Sequence, residues 1–398
     1  MNKSKTTKDI KPNNEQHRPT MQDSFWHKSR LCFSARAIRT LLILAALPVP
    51  IIGYCDSGKG LFGNFFDSKG KHMKDVAVKI AELPDQYKQV TPWALNFSPN
   101  VKLLAVRSAY QTINIWEWQE KRIVHSLELA KGAKDSLTTE SLKFSPDGTL
   151  LVAGHSRADG NIVARIWRTD TWDILHDIVD PVPGSGCNAI GFSPDGKWLI
   201  RVLDRAPGFP QDALVVYDTS TWQSAWGLQA ANFHSYTLAI SPDGKLIALG
   251  GQLFGGGPMR RQIAIVDMEQ RAIVRTLQVG GVMDSGSRLA WSPDGTYLTG
   301  AGGGGGVQIF DLQSGRQILD VKPPWQTAAT SLRYTPDGKY LIEGISTGLK
   351  TGWGKIWDSQ HRELLQEIPG NVGSIAVSRD SRYLATGVDG KTIVWQFK

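Results

Sequence analysis

Cysteine is scarce, with three copies in 398 residues at Cys32, Cys55 and Cys187. Only Cys187 lies beyond residue 74, so the long C-terminal part can form no internal disulfide, and no cysteine pair has metal-ligand spacing. Histidine is equally thin: eight copies stand singly, and His-Glu-x-x-His does not occur. There is no Gly-x-Ser-x-Gly elbow, which argues against an attached hydrolase-type peptidase. The one marked apolar run, Leu41–Leu47 extended by Pro48-Val49-Pro50-Ile51-Ile52, is too short and too broken by Pro for a comfortable membrane span. Excess basic charge is also missing where a nucleic-acid binder would need it. The formal charge is +8, but residues 1–74 carry 13 Lys and Arg against 5 Asp and Glu, and residues 75–398 carry 32 of each sign. The long part is neutral, so no nucleic-acid partner is expected.

What is present is a repeat. Ser-Pro-Asp-Gly stands at Ser145–Gly148, Ser193–Gly196, Ser241–Gly244 and Ser292–Gly295, nearly the same at Thr335–Gly338, and degraded at Ser98-Pro99-Asn100 and Ser378-Arg379-Asp380-Ser381. The residues leading into it are Phe97, Phe144, Phe192, Ile240, Trp291, Tyr334 and Val377, spaced by 47, 48, 48, 51, 43 and 43 residues. A period of that size marks a repeat architecture. Within each unit, short alternating strands are broken by turn residues, the pattern of an antiparallel meander. Pro presets the first central position of a tight turn, Asp tolerates the second, and Gly takes the left-handed conformation that follows.

Third strands align at Ile113–Trp116, Val163–Trp167, Leu214–Tyr217, Ile263–Val266, Val307–Phe310, Lys355–Trp357 and Ile393–Trp395. Most end in an aromatic residue, followed by Asp in Tyr217-Asp218, Phe310-Asp311 and Trp357-Asp358. Fourth strands follow in six units, among them Ile123–Leu129, Ile273–Val279 and Leu364–Ile368. The seventh unit lacks one. The alternating segment Asp75–Leu83 is the expected replacement, and closing a ring this way would remove exposed sheet edges.

On these turn tetrapeptides and third-strand endings, with one literal Trp-Asp at Trp357-Asp358, the chain from Asp75 to Lys398 resembles the WD40-repeat family of β-propellers. The resemblance implies an all-β fold of seven four-stranded blades around a channel, acting as a non-enzymatic protein-binding scaffold. Bacterial propellers with the same Asp-Gly turn are neighbours in this resemblance. The chain departs from the family in lacking the Gly-His pair before each first strand; the nearest approach is His234, and the buried network such a His would organise is not expected.

The domain reading is a basic leader over residues 1–40, a signal-like apolar segment over 41–55, a Gly-, Lys- and Ser-rich linker over 56–74, and the propeller over 75–398. Lys28, Arg30, Arg36 and Arg39 ahead of Leu41–Ile52 match a secretory signal, with Met21 an alternative start. Export to a periplasm or envelope is expected. A lipid tether at Cys55, disfavoured by the bulk of Tyr54, and a cytoplasmic chain stay open as alternatives.

Glycine runs carry no phosphate-site expectation. Gly300, Gly302 and Gly305 lie between two strands, not between a strand and a helix, and Gly348–Lys355 has the wrong spacing for a phosphate loop, with Ile356 in place of a hydroxyl residue. His125, His176 and His361 fall on or near outer strands, where solvated or partly packed imidazoles are the plain expectation. On the first strands, Asn96, Lys143, Gly191, Ala239, Ala290, Arg333 and Ala376 share one register, with Arg288 nearby, and include no Asp or Glu. That disfavours a hydrolase using a channel metal, which needs converging oxygen ligands. The basic members suit either an anion or stems packed along the core. No cofactor or metal is expected. A hydrolase, lactonase or quinone-dependent oxidoreductase, or a sensor module of an envelope complex, are the alternatives to a scaffold.

The candidate binding residues come from the second-to-third-strand connections. Four are long: His155–Val163, Asp204–Asp212, Gln252–Arg261 and Ser346–Gly354. Alternating strand direction places them on one rim. They carry Arg157, Arg205, Phe209, Phe254, Met259, Arg260, Arg261, Lys350 and Trp353, the residue types enriched at binding hot spots. The expected partner is a protein or peptide, bound by a monomeric propeller.

Overall fold

In the computed structural model the described residues are 74–84, 92–108, 112–131, 141–155, 161–180, 186–204, 212–229, 233–253, 260–279, 288–302, 306–321, 327–346 and 352–398. The leader, the signal-like segment and the linker up to residue 73 lie outside them. The described residues form seven four-stranded antiparallel sheets and no α-helix. In six sheets the strands lie in sequence order from inner to outer. The inner strands touch in succession, and the seventh, Val372–Val377, touches the first, Ala94–Phe97, so the ring closes.

The seventh blade takes its outer strand from the other end of the domain. Ala77–Leu83 pairs antiparallel with Lys391–Phe397, from Ala77 opposite Phe397 to Leu83 opposite Thr392. The expected closing strand is therefore present, two residues shorter at its start. Gln366, from the outer strand of blade six, fixes it: its side-chain oxygen accepts from the Val76 and Ala77 amides at 2.8 and 2.7 Å, and its Nε2 donates to the Ala77 carbonyl at 2.9 Å. Lys391 and Lys79 both pair with Glu82, at 2.7 and 2.6 Å, which pulls the Glu82 carboxyl down to about 2.

Alternation along each strand sends side chains to opposite faces of a blade, so apolar residues must be buried against both neighbours. Seven apolar clusters result, one per blade interface. Leu289 and Trp291 of blade five, for example, pack with Ile263 and Leu277 of blade four, while Ala290 between them faces Leu332 and Leu341 of blade six. Each fully buried aliphatic side chain contributes about 1.5–3 kcal/mol. Cys187 is buried and unbridged among them.

Candidate functional site

Two faces of the ring could act on a ligand, and local chemistry makes them different. One is built from the seven first-to-second-strand hairpins. In each, the Ser or Thr hydroxyl donates to the side-chain oxygen two residues on and accepts the amide five residues on. In blade four, Ser241 meets Asp243 at 2.7 Å and the Leu246 amide at 2.9 Å. The Asp243 oxygen also accepts the Lys245 amide at 3.1 Å. The same bonds recur from Ser98 with Asn100 to Ser378 with Asp380. The Ser193, Ser241 and Ser292 hydroxyls hold Asp195, Asp243 and Asp294 below the usual carboxylate range.

The fourth turn residue is left-handed in every copy. It is Gly in five, at φ 74 to 77°, and Val101 and Ser381 in the degraded ones, at 62° and 60°. A β-branched residue there is strained; the Trp118 indole holds Val101 through its carbonyl at 2.8 Å. Glycine serves packing too: a methyl on Gly244 would stand 3.1 Å from Cδ of Pro194, in the preceding turn. The turns of blades two and four thus lie close against the preceding turn's proline, Gly148 by Pro99 and Gly244 by Pro194.

Inside that ring of turns lies a cavity of about 590 Å³. Asn96, Lys143, Gly191, Ala239, Ala290 and Arg333 line it, as do the turn prolines and Arg379. Arg379, standing where six other turns have Pro, reaches past blade one and donates to the Pro146 carbonyl at 3.0 Å. Arg333 Nη1 donates to the Leu332 carbonyl at 2.7 Å. Arg288 does not line the cavity: it is buried in the wall and donates through Nε to Thr330 of the next blade at 2.8 Å.

The opposite rim carries the second-to-third-strand connections. Arg157, Arg205, Phe209, Phe254, Met259 and Lys350 lie outside the described residues. Arg260 begins the third strand of blade four, opposite Leu253, and Arg261 follows it opposite Gln252. Trp353 corrects the expectation of a loop position. It lies on a strand, Gly352–Asp358, opposite Ile345, and is half-buried. Its two flanking glycines reflect crowding: a methyl on Gly354 would meet Ile368 and Val372, each at 3.2 Å.

The Asp that follows the third-strand aromatic now has a reason. Asp311 accepts the Ser314 amide at 2.7 Å, and Asp358 accepts the Gln360 and His361 amides at 2.9 and 2.7 Å. The carboxylate closes the turn into the outer strand. The outer-strand histidines pack on the next blade's turn: His125 lies 5.2 Å from the Trp172 ring and His176 stacks on Trp222 at 5.8 Å.

Buried charge is what sequence reasoning missed. Arg107 donates to the Gly154 carbonyl and Ser141 of blade two at 2.7 and 3.1 Å. Arg201 pairs with Asp180 at 2.6 Å with both groups buried, an ion pair whose disruption from one side typically costs about 3–5 kcal/mol. Glu343 is 1% exposed on the second strand of blade six, opposite Lys355. Lys355 lies between Trp353 and Trp357, 5.9 and 5.5 Å from their ring centres. Burial pushes the Glu343 carboxyl up to about 8, against the pull of the Lys355 ammonium and the nearby Trp357 indole, whose N–H stands outside hydrogen-bonding geometry. Counted from the turn, Arg201, Glu343 and Thr386 occupy one equivalent position, and Trp395 donates to Thr386 at 2.8 Å. Aligning the seven second strands would have singled out these three polar residues against Val106, Ala153, Leu249 and Gly300. Among the described residues no three His, Cys, Asp or Glu side chains are grouped to hold a metal ion.

The family model described as WD domain, G-beta repeat matches residues 362–396. That stretch runs from the outer strand of blade six through three strands of blade seven, including the Thr386–Trp395 bond. The WD repeat-containing protein SL1-17 of Schistosoma mansoni is 24% identical over 227 residues, 57% of this chain and 67% of its own length. The Protein LST8 homolog of Drosophila melanogaster is 24% identical over 33% of this chain and 42% of its own length. Small ribosomal subunit protein RACK1y of Oryza sativa subsp. japonica is 30% identical over 32% of this chain and 36% of its own length. The chain thus spans less than half the length of two of these relatives and about two thirds of the third. Fold and similarities agree on one identification: a seven-bladed β-propeller, similar to WD-repeat proteins, with a WD-type repeat matched over residues 362–396.

Proposed function

We propose that the propeller is a non-enzymatic scaffold, exported or tethered to an envelope membrane, that binds a protein partner on the rim of long connections. The observation that carries the reading is the contrast between the two faces. The first-to-second-strand turns repeat one four-residue solution, whereas the opposite connections differ in length from blade to blade. Variable loops on a rigid frame are where binding residues concentrate. One relative is named as a small ribosomal subunit protein, a component of a larger assembly. The neutral charge of residues 75–398 leaves affinity to a few anchors rather than to bulk electrostatics.

Cross-linking in native cells followed by mass spectrometry tests the rim. Cross-links to a partner should map to residues 156–160, 205–211, 254–259 and 347–351. Replacing Arg205 and Phe209 together, or Phe254 and Met259 together, with Ala should weaken partner recovery by tenfold or more, since one true anchor contributes about 2 kcal/mol. Melting temperature should hold. Trp353 is unsuited to this test because it packs in a strand. Cross-links confined to the short-turn face would refute the reading. A fusion of residues 21–74 to a reporter active only outside the cytoplasm tests export separately; a silent reporter on a full-length cytosolic fusion would reject it.

A further inference from the structure

We propose that the channel mouth on the short-turn face is a binding site for a small amphiphilic anion: a phosphate or carboxylate group on an aromatic or aliphatic body. The site lies on the face opposite the rim and does not depend on the scaffold reading.

Size comes first. A cavity of about 590 Å³ falls within the ~300–1,000 Å³ typical of small-molecule sites. Charge comes second. Among the described residues Lys143, Arg333 and Arg379 line the cavity and no carboxylate does. The acidic residues of the surrounding turns each accept their own seryl or threonyl hydroxyl and a turn amide.

Their placement is uneven, and this selects the ligand. Arg333, Arg379, Asn96 and Lys143 come from blades six, seven, one and two, which are consecutive around the ring. The bond from Arg379 to the Pro146 carbonyl draws its guanidinium toward the blade that carries Lys143. Blades three to five present Gly191, Ala239 and Ala290 at the equivalent positions, backed by Phe192, Ile240 and Trp291. One arc of the mouth is cationic and the other apolar. A bare inorganic anion would satisfy half of it, and a neutral hydrocarbon the other half. The frame is preformed: proline fixes its own φ, and each Ser–Asp pair locks its turn, so little ordering is needed on binding.

Calorimetric titration of the full chain tests this, using phenyl phosphate and phenylacetate as amphiphilic probes and inorganic phosphate and benzyl alcohol as the separated halves. At least one amphiphile should bind at a single saturable site with a dissociation constant below about 1 mM; the tighter one identifies the head group. Each half alone should bind at least about tenfold more weakly. Lys143→Gln and Arg379→Gln should each reduce affinity about tenfold, as expected for one charge-assisted hydrogen bond, and raising salt should do the same gradually. Lys197→Gln with Lys245→Gln removes two cations from the same face that do not line the cavity, and affinity should stay within about twofold, since exposed charges outside contact are screened. The proposal is overturned if neither amphiphile saturates, if the Lys143 and Arg379 variants bind as well as the parent, or if the Lys197/Lys245 variant loses as much as they do.

Discussion

Glu343 is a carboxyl held out of water beside a lysine that only partly offsets its burial. In an unfolded chain its carboxyl has the ordinary value of 4.5; in the ring it rises to about 8. Below pH 4.5 both states carry the proton and stability does not depend on this group's titration. Between the two values the folded state holds a proton that the unfolded state has released. Stability therefore declines as pH rises, by about 1.4 kcal/mol per unit for this one group, until the folded carboxyl ionises near pH 8. Glu343→Gln keeps the shape and removes the titration. Its melting temperature should fall less than that of the parent between pH 5 and 8, and should be the higher of the two at pH 8. Parallel profiles would show that Lys355 neutralises Glu343 fully. Nothing in the segment Leu341-Ile342-Glu343-Gly344 announces burial, because exposure on a second strand is decided by the facing blade. Arg201 and Asp180 were hidden for the same reason: their contact joins residues 21 positions apart in neighbouring blades.

At the scale of elements, the hairpin turn was the legible unit. Ser, Pro, Asp and Gly each have a local reason to stand where they do, so the strands on either side could be placed without knowing what they pack against. The outer strands were legible only as alternation, and the contacts of His125 and His176 with Trp172 and Trp222 were not, since they lie between units. Trp353 was misplaced because its flanking glycines resemble a loop, whereas they answer close packing against Ile368 and Val372. The turn chemistry can be tested at Ser241. Replacing it with Ala leaves the Leu246 amide unmatched and removes the donor to Asp243. Urea unfolding should report a loss of about 1–3 kcal/mol at neutral pH. The loss should shrink in acid. Asp243, whose carboxyl lies below its ordinary value, contributes stability that is complete above the unfolded value and disappears as pH falls through the lowered one. An unchanged midpoint would mean that water replaces the hydroxyl at no cost.

At the scale of the molecule, the blade count follows from the period, and the shared seventh blade follows from a unit one strand short beside an unassigned strand. The way the ring is held does not follow from either, because inter-blade bonds such as Ser374 to the Pro92 carbonyl span almost the whole domain. Closure makes a sharp prediction. Deleting residues 1–70 should leave the melting temperature nearly unchanged, while deleting 1–84 removes Ala77–Leu83, opens an edge along Lys391–Phe397 and should lower it severely. Equal melting temperatures would show that the ring holds without its clasp.

That clasp also sets a schedule for synthesis. Ala77 leaves the ribosome 320 residues before its partner Phe397. At roughly 5–20 residues per second, the early strand waits about 15–65 seconds for the late one. Throughout that interval six blades can assemble behind it while Val78 and Ile80, still 45% and 42% exposed in the finished ring, have no partner strand at all. The nascent chain is most vulnerable to pairing with the wrong strand just before Lys391–Phe397 emerges, and a holding chaperone would have most to protect at Ala77–Leu83.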